Sequence, residues 1–420
     1  MNKGFDLYGC MTPWHEMYVK PNGRAKPCCA SDPKKDFPLT DKLTEAFNNT
    51  HYRQMRSTML NNQGPAECSN CYQKEELYGY SLRDFRNSKR YLDKLGIYTN
   101  YNLDAHKQKF KEFQNPRELK VLKIDFSNGC NLRCPMCNPA KSTSWFKDKI
   151  AMDAEWDFDE LIQEYQPFRN IRRPLTPDLQ AEYSKNIPIT WIDQNWKLLK
   201  KIATIEVSGG EPFFHPQFLY LLDKLAQDNW QGTLRIISNL TLITDKHIEQ
   251  LRQLKQVQIN ASIDSCGKLH EYLRPSVPVG KYTWSNIQDT ILELKAVPNI
   301  RLNLCYVSQA LNFYNTIDWF DFLLEHGFKS HGFNMLSKPQ WLRINNYPDA
   351  EAKQELIAKL TQPKYKQYEK SIKLLTNAFN NPVDPADWKA FCRYMNFLDK
   401  QRETSIINYI PEFERHWIYD

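Results

Sequence analysis

Residues 119–139 read LKVLKIDFSNGCNLRCPMCNP, and this stretch decides the fold class. Its first part, LKVLKIDFS, is a short apolar run of the kind that forms a buried strand. The cysteines follow directly, with Cys130, Cys134 and Cys137 at the spacing C-x3-C-x2-C. A closed tetrahedral metal site needs four protein ligands, so three thiols on one loop leave a coordination position for another molecule.

Further along the chain, β-rich runs alternate with amphipathic helical runs. Five more strand candidates lie at residues 202–210, 233–241, 257–265, 300–308 and 329–336. The segments between them place apolar residues at i, i+3, i+4 and i+7, which is typical of surface helices. Strands that alternate with helices form right-handed βαβ units and a parallel sheet. The pattern predicts an α/β fold, a partial (β/α)6 barrel, with its chemistry at the carboxyl ends of the strands.

The pattern also predicts how the chain is divided. Residues 1–95 should form a small domain with a β-hairpin, in which Asn22-Gly23 supplies the positive φ of a tight turn, followed by helices. The barrel should span residues 119–336 and carry an insertion at 141–198, and residues 337–420 should form a helical extension. The sequence assigns no role to the insertion.

Composition limits the class of protein. The chain has 420 residues, 41% of them apolar, and a net charge of +7 spread over the sequence, so nucleic acid is a possible partner but not a favoured one. Its first residues lack an apolar segment with a cleavage site, and no apolar run reaches membrane-spanning length, so we expect a cytoplasmic protein with no membrane partner. In that reducing compartment, 11 cysteines favour metal sites over disulfides.

The three-cysteine loop resembles the signature of radical S-adenosylmethionine (radical SAM) enzymes. Soft thiolates select zinc or iron–sulfur clusters. In that family Cys130, Cys134 and Cys137 would hold a [4Fe–4S] cluster whose open iron binds the amino and carboxyl groups of SAM. An electron from the cluster then breaks a C–S bond to give a 5'-deoxyadenosyl radical, which abstracts hydrogen from the substrate.

Other motifs agree with this resemblance. Gly209-Gly210-Glu211-Pro212 ends the second predicted strand and is similar to the family's GGEP motif, which binds the SAM amino group. The resemblance implies further SAM contacts from strand ends and one arginine, namely Asn239, Ser262 and Arg274, with weaker matches at Ser238 and Asp264.

The N-terminal cysteines form a complete set of four. Cys10, Cys28, Cys68 and Cys71 resemble the ligands of the twitch (shortened SPASM) domain, which would hold an auxiliary [4Fe–4S] cluster. In relatives such a domain usually follows the barrel, whereas here it precedes it. Two alternatives remain open: Cys29 could replace Cys28 as a ligand, and the site could hold structural zinc.

The resemblance implies a radical SAM oxidoreductase or modifying enzyme that acts on a peptide or a small molecule, with the auxiliary cluster handling the electron. An electron donor such as flavodoxin or ferredoxin would be its partner. Two other functions remain possible: a zinc-stabilised nucleic-acid or protein-binding module on a degenerate barrel, and a radical SAM enzyme that modifies RNA.

Overall fold

A computed structural model of the chain describes residues 8–32, 35–95, 119–164, 168–169, 171–329, 331–382 and 384–419. The chain forms two compact units. The first unit is Met1–Asn128, Lys185–Ile236 and Asp245–Gln258, and the second unit is Gly129–Ser184, Ile237–Thr244 and Ile259–Asp420. Within the described ranges, no helix has the length and apolar character needed to cross a lipid bilayer.

The described residues contain nine strands. They are β1 (Glu16–Val19), β2 (Arg24–Lys26), β3 (Phe37–Pro38), β4 (Val121–Asp125), β5 (Thr204–Ser208), β6 (Thr233–Ser238), β7 (Gln256–Ser262), β8 (Ile300–Ser308) and β9 (His331–Met335). Strands β4 to β9 coincide with the six strands that the sequence predicts. Side chains of β4 and β5 alternate so that Leu122, Ile124, Ile205 and Val207 are buried, which is the pattern expected of strands covered by helices.

In the first unit the strand order is β3-β2-β1-β4-β5-β6-β7, where β6 and β7 contribute their first residues. Strands β1, β4, β5 and β6 are parallel to one another. The predicted hairpin is present, since β1 and β2 are antiparallel and Gly23 in their turn has a φ of 70°. Because β1 also pairs with β4, the hairpin extends the sheet of this unit, while the domain boundaries given above stay a prediction.

In the second unit the last residues of β7 are followed by β8 and β9. Strands β8 and β9 are parallel, with Leu304 opposite His331 and Ser308 opposite Met335. Beyond Met335 the described part of the chain contains helices and 3-10 turns only, as expected for the extension. These features confirm the predicted α/β class with a partial (β/α)6 barrel and a helical C-terminal region.

Helices fall between the barrel strands where amphipathic patterns predict them, and further helices lie in the N-terminal and C-terminal regions. In the first unit they are α1 (Leu43–Phe47), α2 (Thr50–Leu60), α3 (Ser69–Tyr78), α4 (Leu82–Asn87), α5 (Lys89–Lys94), α9 (Ile189–Leu199), α10 (Pro216–Gln227) and α11 (Asp245–Arg252). In the second unit they are α6 (Phe146–Glu155), α7 (Phe158–Glu164), α8 (Pro177–Tyr183), α12 (Lys268–Leu273), α13 (Trp284–Lys295), α14 (Thr316–Glu325), α15 (Ala350–Leu360), α16 (Glu369–Phe379) and α17 (Pro385–Arg402). Local signals set their starts: Pro216 begins α10, and Thr283 and Asn286 form a capping box before α13.

Aromatic side chains join the insertion to the C-terminal extension inside the second unit. Trp145, just before α6, stacks on Tyr394 of α17 with ring centroids 6.5 Å apart, and Trp156 contacts Phe397 at 5.1 Å. All four rings are buried. Since aromatic pairs contribute packing beyond their buried area, these contacts hold α6 and α17 together next to the cysteine loop.

Candidate metal and cofactor site

The three-cysteine loop lies in the second unit and is held by backbone hydrogen bonds. Cys134 is buried, whereas Cys130 and Cys137 are half-buried. The Arg133 N–H donates to the Pro275 carbonyl at 3.1 Å, and the Val277 N–H donates to the Asn131 carbonyl at 2.9 Å. The loop therefore has a defined path before any ligand binds.

Side chains from the insertion and the extension bind the carbonyl oxygens of this loop. Trp145 donates its indole N–H to the Cys134 carbonyl at 2.9 Å, and Ser142 donates its hydroxyl to the Leu132 carbonyl at 2.7 Å. From α17, Tyr394 donates its hydroxyl to the Pro135 carbonyl at 2.8 Å. Buried carbonyls need such partners, so both regions supply structure to the loop.

A buried carboxylate adds an ionic connection between the same three parts. Asp148 of α6 is 1% exposed and accepts from Arg133 of the loop at 3.1 Å. Its other oxygen accepts from Arg402 at the end of α17, at 2.8 Å. The Arg402 guanidinium also lies 5.1 Å from the centre of the Trp145 ring, a favourable cation–π distance.

Arg274 lies beside the loop and forms a buried ion pair with Asp264. One Nη of Arg274 is 3.9 Å from the Cys134 sulfur. Burial lowers the pKa of Arg274, but the neighbouring Asp264 and Cys134 raise it more, so the net shift is upward and the side chain stays charged. Asp264 is fixed in turn by the Val307 N–H at 2.9 Å. The sequence thus identified a cation next to a predicted cluster ligand.

Asn239 forms hydrogen bonds with the loop. Its amide donates to the Asn131 side chain at 3.1 Å, and its oxygen accepts from the Thr241 hydroxyl at 2.6 Å. Asn131 also donates to Thr241 at 2.8 Å. Ser238 accepts from a backbone N–H in the same turn, and Ser262 is half-buried at the end of β7.

The glycine motif lies in the first unit, at the carboxyl end of β5. Gly209 has a φ of 81°, and a Cβ at this position would lie 2.5 Å from the Asp125 Cβ. Asp125 ends β4 and accepts from the Ser208 hydroxyl at 2.6 Å. Only glycine fits such a close approach at positive φ. Gly210 also has a positive φ, of 50°, and the buried Glu211 accepts from the Phe213 N–H.

The four N-terminal cysteines of the complete set line one small cavity in the first unit, of about 20 Å³. Cys10 precedes β1, Cys28 follows β2, and Cys68 and Cys71 lie at the start of α3. Cys29 is exposed and does not line the cavity. The hairpin and the helix thus bring together the four cysteines that the sequence grouped, with Cys28 in preference to Cys29.

The donor set of this cavity fits a soft metal group. Burial raises the pKa of Cys10, Cys28 and Cys68, the last to about 12. In the part of the chain that the structure describes, no three His, Cys, Asp or Glu side chains lie close enough to bind one metal ion. Four thiols around one cavity are a donor set that suits an iron–sulfur cluster or zinc.

Sequence reasoning missed the residues that support the loop from a distance. Asp148, Tyr394 and Arg402 belong to no motif, and the hydrogen bond from Tyr394 spans 259 residues of sequence. Trp145 offered a weak signal, because it closely follows the cysteines. Asn131 offered none, since an asparagine in a turn is ordinary.

Family profiles match both cysteine sets. The profile of the Radical SAM superfamily matches residues 124–307, and that of SPASM, an iron–sulfur cluster-binding domain, matches residues 10–72. The cofactor classes predicted from the sequence, iron–sulfur clusters and SAM, agree with these two matches. A search of curated proteins gave no match.

Several solved structures are similar at low sequence identity. Native anSMEcpe with bound AdoMet is 16% identical, with a TM-score of 0.36 over 60% of this chain and 61% of that chain. The anSMEcpe structure with AdoMet and the Cp18Cys peptide is 17% identical, with a TM-score of 0.31 over 51% and 50%. Streptococcus suis SuiB bound to its precursor peptide SuiA is 15% identical, with a TM-score of 0.35 over 92% and 73%. The chain thus spans about half to three-fifths of the length of the anSMEcpe chains.

Proposed function

We propose that this chain is a radical SAM enzyme that cleaves SAM reductively and abstracts hydrogen from a peptide or small-molecule substrate, because the profiles of the Radical SAM superfamily and of an iron–sulfur cluster-binding domain match it. The observation that carries this proposal is the three-cysteine loop, whose backbone carbonyls accept hydrogen bonds from the insertion and the extension. A rigid loop with three thiols and no fourth is suited to a cluster with one open iron.

Cys130, Cys134 and Cys137 would hold this cluster, which when bound supplies the electron that breaks a C–S bond of SAM. The protein supplies position and charge. Arg274 places a permanent positive charge 3.9 Å from the Cys134 sulfur, which offsets the negative charge of a thiolate-bound cluster. Asp264 fixes the direction of that guanidinium and keeps it protonated.

Gly209, Gly210 and Glu211 stay our predicted contacts for the SAM amino group, and Ser262 a predicted contact for its ribose. The exposed backbone at positive φ in the glycine turn supports the first prediction. For Asn239, the hydrogen bonds to Asn131 and Thr241 favour a role in positioning the cysteine loop.

We assign the auxiliary cluster to Cys10, Cys28, Cys68 and Cys71. Four thiolates close the coordination of a cluster, so this one would exchange electrons and would not bind substrate. Arg83 and Arg86 line the same cavity, and each is fixed by a carboxylate, Glu75 and Glu16 respectively. These ion pairs fix the two guanidinium groups beside the four cysteines.

Anaerobic reconstitution tests the proposal. The full chain should bind about eight irons and eight sulfides, two clusters' worth, and should convert SAM to 5'-deoxyadenosine only after reduction. Cys134→Ala should retain about half the iron and lose SAM cleavage. Cys266→Ala, at a half-buried cysteine outside both sets, is the matched control. SAM cleavage by Cys134→Ala at the native rate would refute the proposal.

The auxiliary site needs its own pair of variants. Cys28→Ala should lower the iron content by about four per chain, while Cys29→Ala should leave it unchanged, because only Cys28 lines the cavity. Zinc in place of iron in protein made under anaerobic, iron-replete conditions would support the binding-module alternative instead.

A further inference from the structure

The second unit contains a cavity of about 380 Å³ beside the cysteine loop. Its wall is formed by three parts of the chain: the end of the loop at Cys137, the insertion through Trp145 and Leu175, and the extension through Trp341 and Tyr394. This volume lies in the range of small-molecule sites, roughly 300–1,000 Å³. None of the motifs discussed above accounts for it.

The cavity wall is mainly apolar and partly aromatic. Tyr394 is stacked on Trp145 and meets Trp341 with ring centroids 5.3 Å apart. Met152 and Leu175, both buried, complete this side. Flat rings and aliphatic side chains of this kind favour an aromatic or aliphatic group.

All charged side chains that line the cavity are cations, namely Lys149, Arg173 and Lys338. Lys149 already pairs with Asp153 of its own helix. Arg173 and Lys338 are exposed, and within the described ranges neither lies within 4.0 Å of a carboxylate. The apolar cavity therefore has two cations that a bound anion can neutralise.

We propose that this cavity binds a carboxylate-bearing ligand with an aromatic or aliphatic body, and that this group anchors the substrate. The role in anchoring the substrate rests on the proposed function, whereas binding of the ligand does not. The insertion and the extension then have a second role in common: besides supporting the cysteine loop, they determine which ligand binds beside Cys137.

Calorimetry on the anaerobically reconstituted full chain tests binding directly. One arm compares indole-3-acetate with indole-3-acetamide, and a second compares the peptides acetyl-Trp-Glu-amide and acetyl-Trp-Gln-amide. In at least one arm the acid should bind about tenfold more tightly than its neutral analogue, with an affinity that falls as salt rises. The arm with the larger difference distinguishes a free carboxylate from an acidic peptide.

Exposed positions allow variants that leave the core intact. Arg173→Gln and Lys338→Gln should each reduce the preference for the acid severalfold. Arg172→Gln is the matched control, because Arg172 is also exposed but does not line this cavity. Equal affinity for acid and amide in both arms, or a preference unaffected by either variant, overturns the inference.

SAM cleavage separates this inference from the proposed function. Reductive cleavage without selective acid binding would refute the cavity and leave the enzyme proposal standing. Selective binding of the acid without SAM cleavage would support the cavity and refute the enzyme proposal.

Discussion

The hydroxyl of Tyr394 in α17 donates a 2.8 Å hydrogen bond to the carbonyl of Pro135, between the second and third cysteines of the loop. Tyr394→Phe would keep the stacked ring and remove only this bond. We expect a loss of about 1–2 kcal/mol in the free energy of unfolding, together with faster iron loss to a chelator.

The control for this variant is Tyr368→Phe. Tyr368 is also buried and donates to a backbone carbonyl, that of Phe328, at 2.9 Å. It should lose similar stability without faster iron release. Equal release rates in the two variants would contradict the positioning role of Tyr394.

Asp148→Asn should be among the most damaging changes in the second unit. It would leave Arg133 and Arg402 facing a neutral group in a buried position, a situation that typically costs about 3–5 kcal/mol. Glu155→Gln is the control, because Glu155 and Lys400 also join α6 to α17 but are exposed, where a pair contributes about 0–1 kcal/mol. Urea unfolding of both variants measures the difference, and similar losses would argue against the buried network.

Gly209→Ala tests the close approach between β4 and β5. The new Cβ would lie 2.5 Å from the Asp125 Cβ, in addition to the strain of a positive φ. Gly280→Ala has a comparable φ of 76° and no atom within 4 Å of the new Cβ, so it isolates the strain alone. We expect Gly209→Ala to be less stable than Gly280→Ala by about 1–3 kcal/mol, and thermal unfolding that ranks them equally would disprove the contact.

Asp399 should make stability depend on pH. Burial raises the pKa of Asp399 to about 6, although hydrogen bonds from Ile406 and Tyr272 and the charge of Arg402 act in the opposite direction. A carboxyl with a folded pKa above its unfolded value stabilises the fold when protonated. Relative to Asp399→Asn, the native protein should therefore lose about 3 kcal/mol as the pH rises from below the unfolded pKa to above the folded one.

The neighbouring tyrosine provides an internal check on this behaviour. Tyr272→Phe removes a hydrogen bond to the ionised carboxylate, so the folded-state pKa should rise and the upper end of the pH window should move upward. Unfolding free energies at half-unit pH steps would show both effects. A difference between the native protein and Asp399→Asn that does not vary with pH would exclude the assignment.

Much of this architecture follows from local patterns. Strands β4 and β5 lie in short apolar segments that are followed by turn residues. The ends of these strands, and the motifs that follow them, could therefore be located from the sequence. The grouping of Cys68 with Cys71 follows from their C-x2-C spacing, whereas Cys10 lines the same cavity only because of how the chain folds. Apolar residues that repeat every two positions in strands, or every 3.6 in helices, can be recognised from the local sequence alone.

The remaining features depend on contacts that sequence spacing does not encode. Parallel pairing of β1 with β4 requires a hairpin to dock beside a strand about 100 residues away. Asn239 stays a predicted SAM contact from its position at a strand end, and the hydrogen bond that its amide donates to Asn131 is one that sequence spacing does not predict. Which polar group faces a ligand and which faces a neighbouring loop is decided by packing.

The contacts of α17 with the cysteine loop have a consequence for biosynthesis. A ribosome makes the loop early and Tyr394 and Arg402 more than 250 residues later. The nascent chain therefore presents its thiols without these supports until α17 has been made, so a cluster inserted before that point lacks the hydrogen bond from Tyr394. A stop codon upstream of position 394 would release chains that possess every cysteine ligand and still hold metal poorly.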